Sequence, residues 1–198
     1  MTYSDPMPRH FPEDRQKFKE LILYISQELA SDENYGKTRL AKALFFIDYL
    51  AYAKFGKPVT GVECIREEHG PVPQALRDGA RSPFEELLSI GDLELRETVL
   101  PRNMVRQTPV AKRPPDLSLF SEDELTLAKD VIESFRGWLG GTVSKYTHQW
   151  VGWQSVPLGE VIPYETIFIS PNQKLNARET QRAQEFARER GWLKKSGR

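Results

Sequence analysis

The chain has 198 residues, room for one large domain or one domain with an extension. At 39% hydrophobic and 28% charged residues it carries enough apolar material for a core, which excludes wholesale disorder. Its 28 basic and 28 acidic residues cancel, which argues against sequence-blind binding to nucleic acid or an anionic membrane, because both need a cationic surface.

The opening MTYSDPMPRHFPEDR is polar and lacks the basic start and apolar stretch of a signal peptide. No apolar run approaches the roughly 20 residues that a membrane helix needs. Cys64 is the sole cysteine, so no internal disulfide forms, and a reducing cytoplasm is the expected location. Residues 1–12 are expected to be a flexible lead, 13–171 the domain, and 172–198 a basic C-terminal helix.

Phe18, Leu21, Ile22, Ile25 and Leu29 fall on one stripe and predict a first helix from about Glu13 to Ala30. A second helix is predicted over Lys37 to Phe55. Leu40, Leu44, Ile47, Ala51 and Phe55 mark one face; Ala43, Phe46, Leu50 and Ala53 mark another. A helix apolar on two sides is central, and Gly56 closes it in the usual position of a left-handed cap. Val59 to Glu68 reads as extended. His69-Gly70-Pro71-Val72-Pro73 reads as a rigid corner that cannot be regular helix. Two short helices, about Pro73–Ala80 and Pro83–Ser89, suit proline at their first positions.

Alternation from Leu93 to Val99 predicts a half-buried strand, with a turn at Pro101-Arg102-Asn103 and a return strand from Met104 to Val110. A proline-rich link follows. Ser121 with Glu124 makes a capping box, and Phe120 with Leu125 is placed for a hydrophobic staple. Leu125, Ala128, Val131 or Ile132, and Phe135 give that helix its buried stripe. Gly137 to Gly141 ends it, and Thr142 to about Trp150 makes another short helix. Val151 to Pro171 reads as irregular, and Asn176 with Glu179 opens a last helix. The fold class is therefore mainly α: a single helical domain with a small antiparallel β-hairpin and a C-terminal helical extension.

No catalytic constellation is visible. His69 lies beside Glu67, Glu68 and Cys64, but the repeated ligand spacing of a zinc site is absent, and a histidine that pins the corner by hydrogen bonds is the simpler reading. Cys64 with His148 has nothing local to mark a nucleophile and its base, and the phosphate-binding glycine patterns are missing. No cofactor and no metal is expected. Asp48 sits within an apolar helix and needs partners; Arg39 or Arg66 would supply charge. A winged-helix reading of the hairpin, for a DNA-binding transcriptional regulator, is the alternative. It fares poorly because the preceding helices hold Arg77 and Arg81 against Asp78, Glu85 and Glu86. From Lys174 onward, eight basic residues face three acids, a net of +5, on a segment with few apolar residues. It either docks weakly or orders on an acidic partner.

Lys42-Ala43-Leu44-Phe45-Phe46-Ile47-Asp48-Tyr49-Leu50, Gly56-Lys57-Pro58-Val59-Thr60-Gly61, His69-Gly70-Pro71-Val72-Pro73, Asp116 to Ser121, Thr147-His148, Gly152-Trp153 and Ile162-Pro163-Tyr164-Glu165 occur in an order and spacing that resembles the SocA-like antitoxin family, or Panacea domain. The resemblance covers roughly residues 18 to 166. It implies an antitoxin of a bacterial or phage toxin–antitoxin pair, which neutralises a cognate toxin protein, expected to be encoded next to it, by direct contact. In the founding member it points further, to a proteolytic adaptor for the ClpXP protease. The residues expected to meet the partner are His69, Gly70, Pro71, His148, Trp150, Trp153 and Tyr164, with Arg178 and Arg182 in the basic tail. For Trp150, Trp153 and Tyr164 an equal alternative stays open: they lock the C-terminal loop onto the helical core. Neither DNA nor a membrane is an expected partner.

Overall fold

The structure, a computed structural model, describes residues 11–77, 79 and 82–169. The predicted last helix and the basic tail, with Arg178 and Arg182, lie outside the described residues, as do residues 1–10.

The first helix, α1, spans Arg15–Glu28. Asp14 caps it, its carboxylate accepting from the Lys17 amide at 2.9 Å, and the apolar stripe from Phe18 to Ile25 is buried. The second helix, α2, runs over Lys37–Phe55 and is buried on nearly every side. Gly56 adopts φ 77°, and its amide donates to the Tyr52 carbonyl at 2.9 Å, the left-handed cap that the sequence predicts. Aromatic side chains along α2 set the core. Phe45 and Phe46 pack edge-on against Trp150, Phe46 also meets Phe135 and Tyr146, and Tyr49 and Tyr52 meet Tyr164. Burying each such ring contributes about 2–3 kcal/mol, which makes α2 the axis of the domain.

Two small antiparallel sheets flank this body. Strand β1 (Cys64–Glu67) pairs with β2 (Gly70–Pro73), Cys64 opposite Pro73. The predicted corner is thus a hairpin turning at Glu68-His69. The two prolines of β2 conceal a strand from a propensity reading, and they are tolerated because β2 is an edge. A 3-10 turn, Gln74–Leu76, replaces the longer helix expected from Pro73, and α3 (Pro83–Ser89) follows as predicted, capped by Ser82. The hairpin of β3 (Leu93–Leu100) and β4 (Met104–Ala111) is paired along its whole length, with Arg102 and Asn103 at positive φ in its turn.

Helix α4 (Glu122–Ser134) begins on the predicted capping box: Ser121 and Glu124 satisfy each other's amides. Its buried stripe includes Leu127, while Leu125 is only partly buried. Helix α5 (Gly140–Thr147) starts two residues before the expected Thr142. The segment after it is not irregular. It forms α6 (Val151–Ser155), a two-residue strand β5 (Val161–Ile162) on the free side of β1, and a 3-10 helix over Tyr164–Ile169. These elements are too short to print a period in the sequence. The outcome is a mainly α-helical domain with minor antiparallel β.

Buried charges hold the loops. Arg39, wholly buried, grips Asp32 with both guanidinium nitrogens and reaches the Phe135 carbonyl at 3.2 Å. Asp32 also accepts from the Gly137 amide at 2.6 Å, so one ion pair joins the α1–α2 loop to the end of α4. Arg113 makes a bidentate pair with buried Glu20 at 2.7 and 2.8 Å, anchoring the proline-rich link.

Candidate partner-binding face

The three-stranded sheet, order β2-β1-β5, brings the two motif-bearing segments together. Gly70 sits at φ 100°, and a Cβ there would lie 2.3 Å from Thr147 Oγ1 and 2.9 Å from Lys42 Cε. Only glycine allows this backbone to lie on α2 and α5. Lys42, 1% exposed, donates from Nζ to the Pro71 carbonyl at 2.8 Å. Burial presses the Lys42 ammonium down to about 8. The bond that pins the hairpin therefore comes from Lys42, and the His69 imidazole stands exposed at the turn instead of holding it. A lone lysine in the apolar run of α2 was the available signal for this role.

The opposite edge is a stack. Trp153 on α6 donates from Nε1 to the Glu67 carbonyl at 2.9 Å. The His148 ring lies parallel to it, centroids 4.0 Å apart, and the Arg66 guanidinium lies 4.6 Å from its ring centroid. Arg66 also donates to the Val156 carbonyl, while the backbone of Arg66 exchanges bonds of 2.9 and 2.8 Å with Glu160 and Gly159. Desolvation lowers the His148 pKa, and the nearby Lys42, His69 and Arg66 lower it further. Leu158, in the turn between α6 and β5, is 66% exposed. A shallow open depression continues the stack, lined by Ile65, Gln74, Arg77 and Val161.

Not every residue expected at a partner surface is on it. Trp150 is 3% exposed and packs into the α2 aromatic cluster; Tyr164 is 6% exposed, its hydroxyl donating to the Val62 carbonyl at 2.8 Å. Gly70 and Pro71 are buried as well. These four shape the face from beneath, while His69 is exposed and His148 and Trp153 are half-buried. Gly152 belongs with the shaping residues: a Cβ there would lie 2.3 Å from Thr166 Oγ1.

Asp48 has neither of the arginines expected for it. Arg39 is paired with Asp32, and Arg66 stacks on Trp153. Asp48 instead accepts from the amides of Val59 and Thr60 at 3.0 and 2.8 Å, from the Thr60 hydroxyl, and at 3.4 Å from the Tyr164 hydroxyl. Burial raises its pKa to about 6, against these bonds. It closes the loop after α2 onto the body, a role set by backbone amides that no residue-type pattern reveals.

Among the described residues no group of three or more His, Cys, Asp or Glu is gathered as a metal-binding set. Cys64 is buried, and burial raises its thiol well above the ordinary value, which disfavours the thiolate. Before the β3–β4 hairpin, Arg77 pairs with Glu67, and Glu86 on α3 takes Arg15 and Lys19. No helix among the described residues is long and apolar enough to cross a membrane.

The fold and this face define a compact helical domain whose glycines and polar side chains hold its loops in one pose. The chain belongs to the antitoxin SocA-like, Panacea domain family, whose sequence model matches residues 40–154, from within α2 to within α6. No curated protein and no solved structure gives a significant match.

Proposed function

We propose that this chain is the antitoxin of a toxin–antitoxin pair and neutralises its cognate toxin, a protein encoded next to it, by direct contact. The Panacea match over residues 40–154 carries this reading. The sheet face supports it physically. A surface already fixed by Lys42, Gly70 and the Arg66–Trp153–His148 stack loses little conformational freedom on binding. His69 is exposed on it, and His148 and Trp153 are half-buried.

The tail, with Arg178 and Arg182, adds electrostatic attraction for an acidic partner. Removing residues 174–198 weakens toxin binding mainly through the association rate; unchanged binding removes the tail from the account. In the same reading, delivery of the toxin to ClpXP follows contact, and the toxin half-life lengthens when that protease is depleted.

The test is growth. The neighbouring reading frame is induced in a naive bacterium with and without this chain. Arrest by the neighbour alone and rescue by this chain is the expected result; a harmless neighbour, or arrest that this chain leaves unchanged, overturns the reading.

A further inference from the structure

The β3–β4 hairpin is unlike every other element in how it ends. Its root is anchored: Leu93 and Pro109 are buried, and the Thr108 hydroxyl donates to the Tyr35 carbonyl at 3.2 Å. Its tip is apolar and open. Val99, Met104 and Val105 are 73%, 56% and 54% exposed, three of the seven large hydrophobic residues exposed among the described residues. Val99 lies opposite Val105, and Leu100 opposite Met104, so apolar pairs occupy both faces of the tip.

The exposed charge at the turn itself is Arg102. The hairpin carboxylates are occupied within it: Glu94 by Lys112 and Arg96 at 2.9 and 3.2 Å, and Glu97 by the Gln107 amide at 3.1 Å. Arg102, exposed at the turn with φ 66°, a backbone state that costs a non-glycine residue free energy, has no carboxylate partner among the described residues, whereas Arg106 is half-buried with its stem beside Gly36. An apolar tip with an unpaired guanidinium at its turn is complementary to an apolar groove edged with a carboxylate.

We infer that the tip of the β3–β4 hairpin is a docking arm, which inserts Val99, Met104 and Val105 into an acid-rimmed apolar groove on a protein partner, with Arg102 on the rim. The inference rests on the antitoxin reading and names the surface by which the toxin is gripped. Duplex DNA fits Arg102 but leaves the four apolar side chains without a partner surface, so a protein groove is the better match. Eight residues of each strand are paired along the arm.

The experiment is calorimetric titration of the purified product of the neighbouring reading frame into this chain. A variant with Val99→Thr, Met104→Gln and Val105→Thr is compared with a second variant, Arg102→Glu, whose exposed turn position guards against a folding artefact. Both are expected to melt like the natural chain and to bind about tenfold or more weakly. Binding equal to the natural chain's by the triple variant overturns the arm and leaves the antitoxin reading standing. Failure of the natural chain to bind removes that reading and the arm with it. Self-association of the free chain that the triple variant abolishes assigns the tip to a second copy. Salt-sensitive duplex binding that Arg102→Glu abolishes assigns it to DNA. Either of those two results also overturns the inference.

Discussion

The two β elements of this molecule are held in opposite ways. The three-stranded sheet is tied down at every strand: Lys42 clamps β2, Gly70 is pressed against Thr147, and Tyr49 donates to the Ile162 carbonyl of β5. The β3–β4 hairpin is tied down only at its root, and its last turn stands clear with apolar side chains uncovered. Substitutions in the first region act on stability, because buried polar groups lose their partners. Substitutions at the tip of the second leave stability alone and act on whatever touches it.

The sharpest test of that contrast is Asp48→Ala. It strands two amides and the Thr60 hydroxyl in a buried loop, while the Tyr164 hydroxyl keeps its bond to Val62, and the expected loss is roughly 3–5 kcal/mol, read by chemical denaturation. A loss below about 1 kcal/mol means the loop re-forms its bonds with water. Gly70→Ala comes next, at about 2–4 kcal/mol, because a Cβ is strained at this φ and meets Thr147.

Titration separates the buried charges. Lys42 is pressed down to about 8 from an ordinary 10.5, so the folded chain releases this proton before the unfolded chain does. Its contribution to stability is least favourable below pH 8, improves as pH rises toward 10.5, and is then constant. Relative to Lys42→Met, the natural chain gains about 3 kcal/mol across that window; parallel profiles show that Lys42 is solvated. Asp32 behaves oppositely. Its hydrogen bonds to Arg39 and to the Gly137 and Asn34 amides outweigh burial and hold it at about 2 against 3.8. Its contribution, about 2 kcal/mol, is present above pH 4 and is lost as pH falls toward 2. The difference between the natural chain and Asp32→Asn isolates it from Asp48, which favours its neutral form and so shifts the other way between pH 4 and 6. Smallest of all, Val99→Thr with Val105→Thr is expected to change stability by less than about 0.5 kcal/mol in thermal melts.

Local chemistry was legible in the sequence wherever it acts through neighbours in the chain. The apolar faces and Gly56 set the bounds of α2, Ser121 and Glu124 the start of α4, and alternation the β3–β4 hairpin. What escaped was contact between distant segments. Gly70 to Pro73 becomes a strand because β1 pairs with it, and Val161-Ile162 because β1 has a second edge. For Trp150 and Tyr164 the sequence left interface anchor and core lock equally open, and they are core, because α2 supplies aromatic partners for both. The sheet face was legible as two motifs; that Lys42 joins them from below was not.

The central claim is that this chain acts by touching its toxin. Hydrogen exchange of the chain, alone and with the product of the neighbouring reading frame, tests it directly. The account predicts new protection over residues 97–106 and at the turn around His69, while the amides of α2 exchange as before. No gain in protection anywhere, in a pair where this chain still relieves the growth arrest, contradicts direct contact.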